Sequence, residues 1–411
     1  MKASPRTPAT TRRPRRWASG CARGSSTSRR PSLIDTPERQ ALGATVREFV
    51  AREVLPFQDE WERGGELPRS LHRTAAAHGL IGLSYPTAVG GEGGDALDAL
   101  VLAEQFHYAG GAGGVFASLF TSGISLPHLI SAGDAAQIDR WVRPTLAGET
   151  IGSLAITEPD GGSDVAGIRT TAKRDGDTYL VNGTKTYITS GLRADFVVTA
   201  VRTGEPGAHG ISLLVVDKGR PGFGSRPLAK MGWLSSDTAE LSYADVRVPA
   251  DHLVGAENSG FAQIATNFVS ERIGLAVQAY ASAQRALDLS VTWCRNRETF
   301  GRPLIGRQTV QHTLAEMARR IEVARVYTRT VAERSAAGET DLVAAACFAK
   351  NTAVEAGSWV VDRAVQLYGG MGYMRESEVE RQYRDMRILG IGGGTTEILT
   401  GLSAKLLGYT A

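Results

Sequence analysis

The chain has 411 residues, of which 42% are hydrophobic and 22% charged, with a formal charge of +3. That size and apolar content can bury a large core and call for two or three domains, which sets the chain apart from disordered proteins. Its three cysteines, Cys21, Cys294 and Cys347, share no CxxC spacing, so neither a disulfide framework nor a zinc site is indicated and a reducing compartment fits.

The positive charge is local. Nine of the basic residues precede the first acidic one, Asp35, leaving 37 basic against 43 acidic residues in the rest of the chain. The folded body is mildly acidic, and nucleic-acid binding has no support beyond the tail. Residues 1–34, rich in Arg, Ser, Thr and Pro, lack the hydrophobicity to fold and are expected to form a disordered basic tail or to reflect an overlong start. No apolar core follows that basic segment, and no apolar run is expected to reach the roughly 20 residues that span a bilayer. The expected location is cytoplasmic. An organelle transit peptide leading to the mitochondrial matrix is the alternative, because it shares the acid-poor, Arg-rich composition.

From 35 to 148 the pattern is mostly helical, with Leu42, Val46, Phe49, Val50 and Val54 forming one apolar stripe after a Thr36-Pro37-Glu38 start signal. Gly90-Gly91-Glu92-Gly93-Gly94 lacks the spacing and the strand-to-helix context of a phosphate loop and reads as a connector. Between 149 and 258 the texture turns to short β-rich segments at 168–174, 178–181, 184–188, 196–201, 211–217 and 239–248. Asp175-Gly176 and Asn182-Gly183 favour tight hairpin turns between the first three. From 259 to 411 long helical segments return near 260–295, 308–337, 341–368 and 395–407, with a Gly-rich break at 369–372, which reads as a bundle. The fold class is therefore α+β: an N-terminal helical domain, a middle β-barrel-like domain and a C-terminal four-helix bundle. The seven histidines show no metal-ligand spacing. Trp233, Trp293 and Trp359 read as packing residues.

Two segments carry chemistry. The first runs Ala155-Ile156-Thr157-Glu158-Pro159-Asp160-Gly161-Gly162-Ser163-Asp164-Val165-Ala166-Gly167, where small residues after a strand let backbone N–H groups approach an anionic or carbonyl-rich ligand. The second runs from Gln366 through Gly369, Gly370, Gly372 and Tyr373 to Glu376, followed by Arg381 and Asp385. Both match, at all their fixed positions, the signatures of acyl-CoA dehydrogenases. Lys230 to Thr238 and Arg297 to Gly301 resemble further segments of that family, so the resemblance covers roughly residues 36–408.

The resemblance implies FAD contacts from Leu154, Ile156, Thr157 and Ser163, then from Tyr187, Ile188 and Thr189, with Thr189 facing the reactive N5 edge. Tyr187 stands where many relatives have Trp, and a phenol can still stack on the flavin. In the family's oligomers the positions of Arg297, Thr299, Gln308, Gln366, Gly369 and Gly370 reach the cofactor across subunit boundaries, an arrangement that suits an Arg beside phosphate. Thr395 and Glu397 would complete the cofactor site.

Many members carry the catalytic glutamate in the Gly-rich loop that matches 387–397, but the aligned position here is Gly393. In the isovaleryl and long-chain branches the base sits on a helix, at the position of Glu271. Desaturating a thioester needs a carboxylate that removes the α-proton while the β-hydrogen leaves as hydride. Family members hold the thioester carbonyl with a ribityl hydroxyl and one backbone N–H, here that of Gly393, which a glycine keeps. Asn267, Phe268, Gly274 and Leu275, at helical spacing from Glu271, are not basic, so no local ion pair accounts for the charge; a solvated helical Glu is the bland alternative. Ser163, Val269, Ser270, Arg272 and Gly394 would border the acyl or pantetheine path. The resemblance further implies an acyl-CoA or acyl-carrier-protein thioester as substrate, an electron-transferring flavoprotein as acceptor and a homotetramer. A flavin monooxygenase or oxidase on this fold, and a non-catalytic flavin- or acyl-binding protein, are the competing readings.

Overall fold

The computed structural model describes residues 33–409, so most of the expected basic tail, and Cys21 with it, lies outside the described residues. Order begins slightly earlier than the composition indicates: Ile34 is only 3% exposed in the core, and the Leu33 N–H donates to Glu333 Oε1 at 3.2 Å.

The N-terminal region carries α1 (Pro37–Phe49), α2 (Gln58–Gly64), α3 (Ser70–Ala77) and α4 (Ala96–Tyr108). It continues with α5 (Gly113–Leu119), α6 (Ser122–Ala132), α7 (Ala135–Gln137) and α8 (Arg143–Leu146). Thr36 caps α1 through its side chain, with Pro37 at the first helical position. The apolar stripe runs on past the end of α1 into a π-helical turn, Val50–Val54, and its members Val46, Phe49, Val50 and Val54 are all buried. Residues 90–94 form a connector. Contrary to expectation, Gly113–Ala132, 20 residues with a mean hydropathy of 1.4 over its 18-residue window, is long and apolar enough to span a bilayer. Half of that stretch is buried in protein, where Val115, Leu119, Leu126 and Leu129 pack into the core, so it is accounted for as core helix.

The middle region contains β1 (Gly152–Ala155), β2 (Thr171–Asp175), β3 (Thr178–Thr189), β4 (Phe196–Arg202), β5 (Ile211–Asp217), β6 (Phe223–Pro227) and β7 (Thr238–Pro249). They make a seven-stranded sheet of order β1-β4-β2-β3-β7-β6, with β5 also on β4, and among the described residues the pairing does not close into a ring. Asp175-Gly176 does turn the chain between β2 and β3, Gly176 having a φ of 58°. The expected second turn is absent. Asn182-Gly183 lies inside the single long strand β3, at a register shift against β7. A Cβ on Gly183 would come 2.5 Å from Thr170 Oγ1, so glycine is needed there for close approach and bulging. β4 and β5 are covered on both faces. Phe196, Val198, Leu213 and Val215 face the N-terminal helices, while Val197, Val201, Leu214 and Val216 face β3 and β7.

The C-terminal region holds α9 (Gly260–Asn296), the short pair β8 (Glu298–Thr299) and β9 (Arg302–Pro303), α10 (Gln308–Ala336) and α11 (Val343–Tyr368). It ends with α12 (Glu378–Leu389), which sequence periodicity did not single out, and α13 (Thr396–Leu406). The bundle core crosses the domain boundary: Leu97, Leu100, Val101 and Ala103 of α4 share one apolar cluster with residues of α9, α10 and α11. Glu104, fully buried, accepts from Arg329 Nη2 at 2.6 Å and from Tyr280 Oη at 2.5 Å, pinning α4 to that bundle. Trp233, Trp293 and Trp359 are half-buried against the same cluster, as packing residues should be.

Candidate active site

Two glycines at left-handed φ, Gly393 at 66° and Gly394 at 96°, break the chain between α12 and α13. The N–H of Gly392 still caps Ile388, but the N–H of Gly393 has no acceptor among the described residues. Across from it stands α9. A Cβ built on Gly393 would lie 3.3 Å from Glu271 Oε1 and 2.5 Å from Leu275 Cδ1, so the carboxylate of Glu271 fills the volume a side chain at 393 would require.

Glu271 is half-buried and engages no hydrogen bond or ion pair among the described residues. Burial pushes its carboxyl above the ordinary 4.5, while the charges of Arg272 and then Lys350 pull it back down. Helical spacing from Glu271 shows no basic neighbour, yet two cations stand behind it. Arg272 is 6% exposed, lies 5.2 Å above the Phe268 ring and points its Nε towards the Gly393 carbonyl at 3.5 Å; it is buried beside the loop and does not line an open path. Val269 is half-buried in the bundle core, and Ser270 is exposed with its hydroxyl on the Asn267 carbonyl at 2.9 Å.

Lys350 was not singled out from the sequence. Its side chain, 1% exposed on α11, donates to the carbonyls of both Gly392 and Gly394. The signal was present, because Ala346, Cys347, Ala353 and Val354, at helical spacing around it, are all core residues. Burial lowers the Lys350 ammonium to about 8, against the attraction of Glu271.

The expected flavin segments come together at one end of the sheet. Thr186 N–H donates to the Thr157 carbonyl at 2.9 Å, and Ser153 Oγ to the Thr189 carbonyl at 2.6 Å, which tie the end of β1 to the end of β3. Leu154 and Ile156 are half-buried beneath, and Ile188 is 3% exposed. Tyr187 is the opposite, 71% exposed with a φ of 59°, a conformation uncommon for a bulky residue. The hydroxyls of Thr157, Ser163, Tyr187 and Thr189 have no protein partner among the described residues. An outward aromatic face on the same strand end as the free hydroxyl of Thr189, with those of Thr157 and Ser163 on the adjoining segment, fits the ring of a flavin.

A buried ion pair props this end up. Lys185, 0% exposed, donates to Glu158 Oε1 and to the Ile156 carbonyl, both at 2.8 Å. Burial alone would raise the Glu158 carboxyl, but the Lys185 charge and the N–H groups of Arg169 and Thr170 hold it below its ordinary value. Lys185→Met leaves that carboxylate buried and unmatched, so it is expected to lower stability by about 3–5 kcal/mol in chemical denaturation and to reduce flavin content.

Arg297, Gln308, Gln366, Gly369 and Gly370 are exposed, and no hydrogen bond among the described residues joins them or Thr299 to 154–163 or 187–189. Thr299 accepts from Arg307 within its own turn. Thr395 caps α13 by accepting from the Ile398 N–H at 3.3 Å, and Glu397 is an exposed first-turn acid. No group of three His, Cys, Asp or Glu residues among those described could hold a metal.

Family profiles described as the acyl-CoA dehydrogenase N-terminal, middle and C-terminal domains match residues 36–149, 153–246 and 258–408. The chain belongs to the acyl-CoA dehydrogenase family. It is similar to the mitochondrial long-chain specific acyl-CoA dehydrogenase of Rattus norvegicus, 37% identical over 376 residues that cover 90% of this chain and 87% of the relative. A candidate acyl-CoA dehydrogenase from Mycobacterium smegmatis is 69% identical with a TM-score of 0.92, covering 92% of this chain and all (100%) of that one. The acyl-CoA dehydrogenase from Geobacillus kaustophilus is 36% identical with a TM-score of 0.87, over 90% and 98% of the two chains. This dehydrogenase is an oxidoreductase of a flavoprotein family, with the family's helical, β and helical regions in order.

Proposed function

We propose that this dehydrogenase desaturates an acyl-CoA thioester to the trans-2-enoyl product, with Glu271 as the base and the Gly393 N–H as a donor to the thioester carbonyl. One observation carries the reading: an unpartnered, half-buried carboxylate stands 3.3 Å from where a Gly393 Cβ would be, beside an unused backbone N–H. A raised carboxyl is suited to accept a weakly acidic α-proton, and a fixed N–H in a protected site stabilises enolate-like charge. FAD, which the residues at the strand ends would hold, would supply the acceptor for the β-hydrogen as hydride. Leu154, Ile156, Thr157, Ser163, Tyr187, Ile188 and Thr189 would hold its ring. Arg297, Thr299, Gln308, Gln366, Gly369, Gly370, Thr395 and Glu397 would reach the rest of a cofactor, in part from another subunit of a homotetramer. A base at Glu271 would group the enzyme with the long-chain and isovaleryl branches. Ser163, Val269, Ser270 and Gly394 border the proposed substrate path, Arg272 being buried beside the Gly393 loop, and an electron-transferring flavoprotein is the proposed acceptor.

Anaerobic titration with a panel of acyl-CoA chain lengths should bleach the flavin, and the reduced protein should reoxidise slowly in air. Fast reoxidation would instead mark an oxidase. The rate of bleaching should rise with pH through a limb above 4.5, because the base works deprotonated and burial raises it. A limb at or below that value would mean the working carboxylate is a solvated one.

A further inference from the structure

Three glycines in a row, 392–394, offer no side chain by which to anchor the loop, so its geometry must be imposed from outside. Lys350 is placed to do this. Its buried ammonium donates to the carbonyls of Gly392 and Gly394, which flank the proposed donor, and it forms no salt bridge with any carboxylate among the described residues. A buried ammonium without an ion-pair partner is costly, and a methionine would fill the same volume at less expense. In a planar trans peptide the C=O and the following N–H point in opposite directions. Drawing the Gly392 carbonyl towards α11 therefore turns the Gly393 N–H away from it.

We propose that Lys350 is a positioning residue that aims the Gly393 N–H at the substrate carbonyl by gripping the carbonyls on either side. This rests on the reading of Gly393 as a donor. The same ammonium favours the ionised form of Glu271. The titratable and charged groups that act on it are Glu271 and Arg272 from α9 and the Cys347 thiol one turn earlier on α11; none comes from α10, α12 or α13.

The test is Lys350→Met in the full-length, flavin-loaded protein. The rate of flavin reduction should fall about 10- to 100-fold, the loss expected when one oxyanion donor is misaimed. The acid limb of the rate should move to higher pH, since the carboxylate loses a neighbouring cation. The absorption band of a bound arylacryloyl-CoA, which red-shifts as its carbonyl is polarised, should shift less than in the parent. Full rate with an unmoved limb and an unchanged band would overturn the proposal. If the methionine variant does not fold, Lys350→Gln, whose shorter amide can reach at most one of the two carbonyls, should give a smaller loss, and full activity there would overturn it equally. Glu271→Gln separates the two readings. Should that variant stay active, the base assignment falls, while a lost band shift in Lys350→Met still upholds the aiming of the loop.

Discussion

Glu271→Gln is expected to lower the rate of flavin reduction by acyl-CoA by about 10³-fold, within the range removed with a general base, while the protein stays fully loaded with flavin. The amide has nearly the shape of the carboxyl and breaks no internal bond, because Glu271 has no hydrogen-bond or ion-pair partner among the described residues. The stability change has a defined sign. An acid whose folded-state value is raised costs stability once the pH exceeds its unfolded value, and burial raises Glu271 above 4.5. At neutral pH the variant should therefore melt at the same temperature as the parent or slightly above it. An unfolded or colourless variant would contradict this account, and normal bleaching would remove Glu271 from the mechanism.

Gly393→Ala is the second large expectation. The residue sits at a φ of 66°, where a Cβ costs about 1–2 kcal/mol in local conformation. That Cβ would also press on Leu275 Cδ1 at 2.5 Å, closer than carbon atoms approach, and on Glu271 Oε1 at 3.3 Å. Leu275 is buried in the bundle core, so the loop must yield more than the helix does. A displacement near 1 Å misplaces the N–H and costs roughly 100-fold in kcat. Gly401→Ala is the control. That glycine is exposed on the outer face of α13 with nothing within 4 Å of an added Cβ, and its replacement should leave activity intact while stabilising the helix by about 0.5–1 kcal/mol. Equal activity losses in both variants would show that the effect is general to the C-terminal region and not a property of the 393 site.

The order of elements was legible because it rests on local periodicity. The stripe from Leu42 to Val54 and the helices beginning near 260, 308 and 343 follow from spacing along one segment. Local rules failed where a distant neighbour decided. Asn182-Gly183 has turn chemistry, but Thr170 presses against Gly183 and the paired β7 runs past it, so the dipeptide serves a bulge. Asn182 is further committed by bonds with Asp245 in both directions, each at 2.9 Å. Arg272 follows the candidate base directly in sequence, yet successive residues on a helix point about 100° apart, and it is buried against Phe268.

From the amino-acid order alone came the glycine at 393, the glutamate at 271 and the resemblance that makes the two comparable. That order could not state the distance between them. They are 122 residues apart, and their approach depends on the loop packing directly against α9, with Lys350 of α11 holding that loop by backbone carbonyls every residue possesses. Whether a carboxylate is a solvated surface charge or a raised base is a matter of what surrounds it. Only the packing of helices remote in the chain removes the water, adds the Lys350 cation to that of Arg272 and leaves one N–H unpaired beside it.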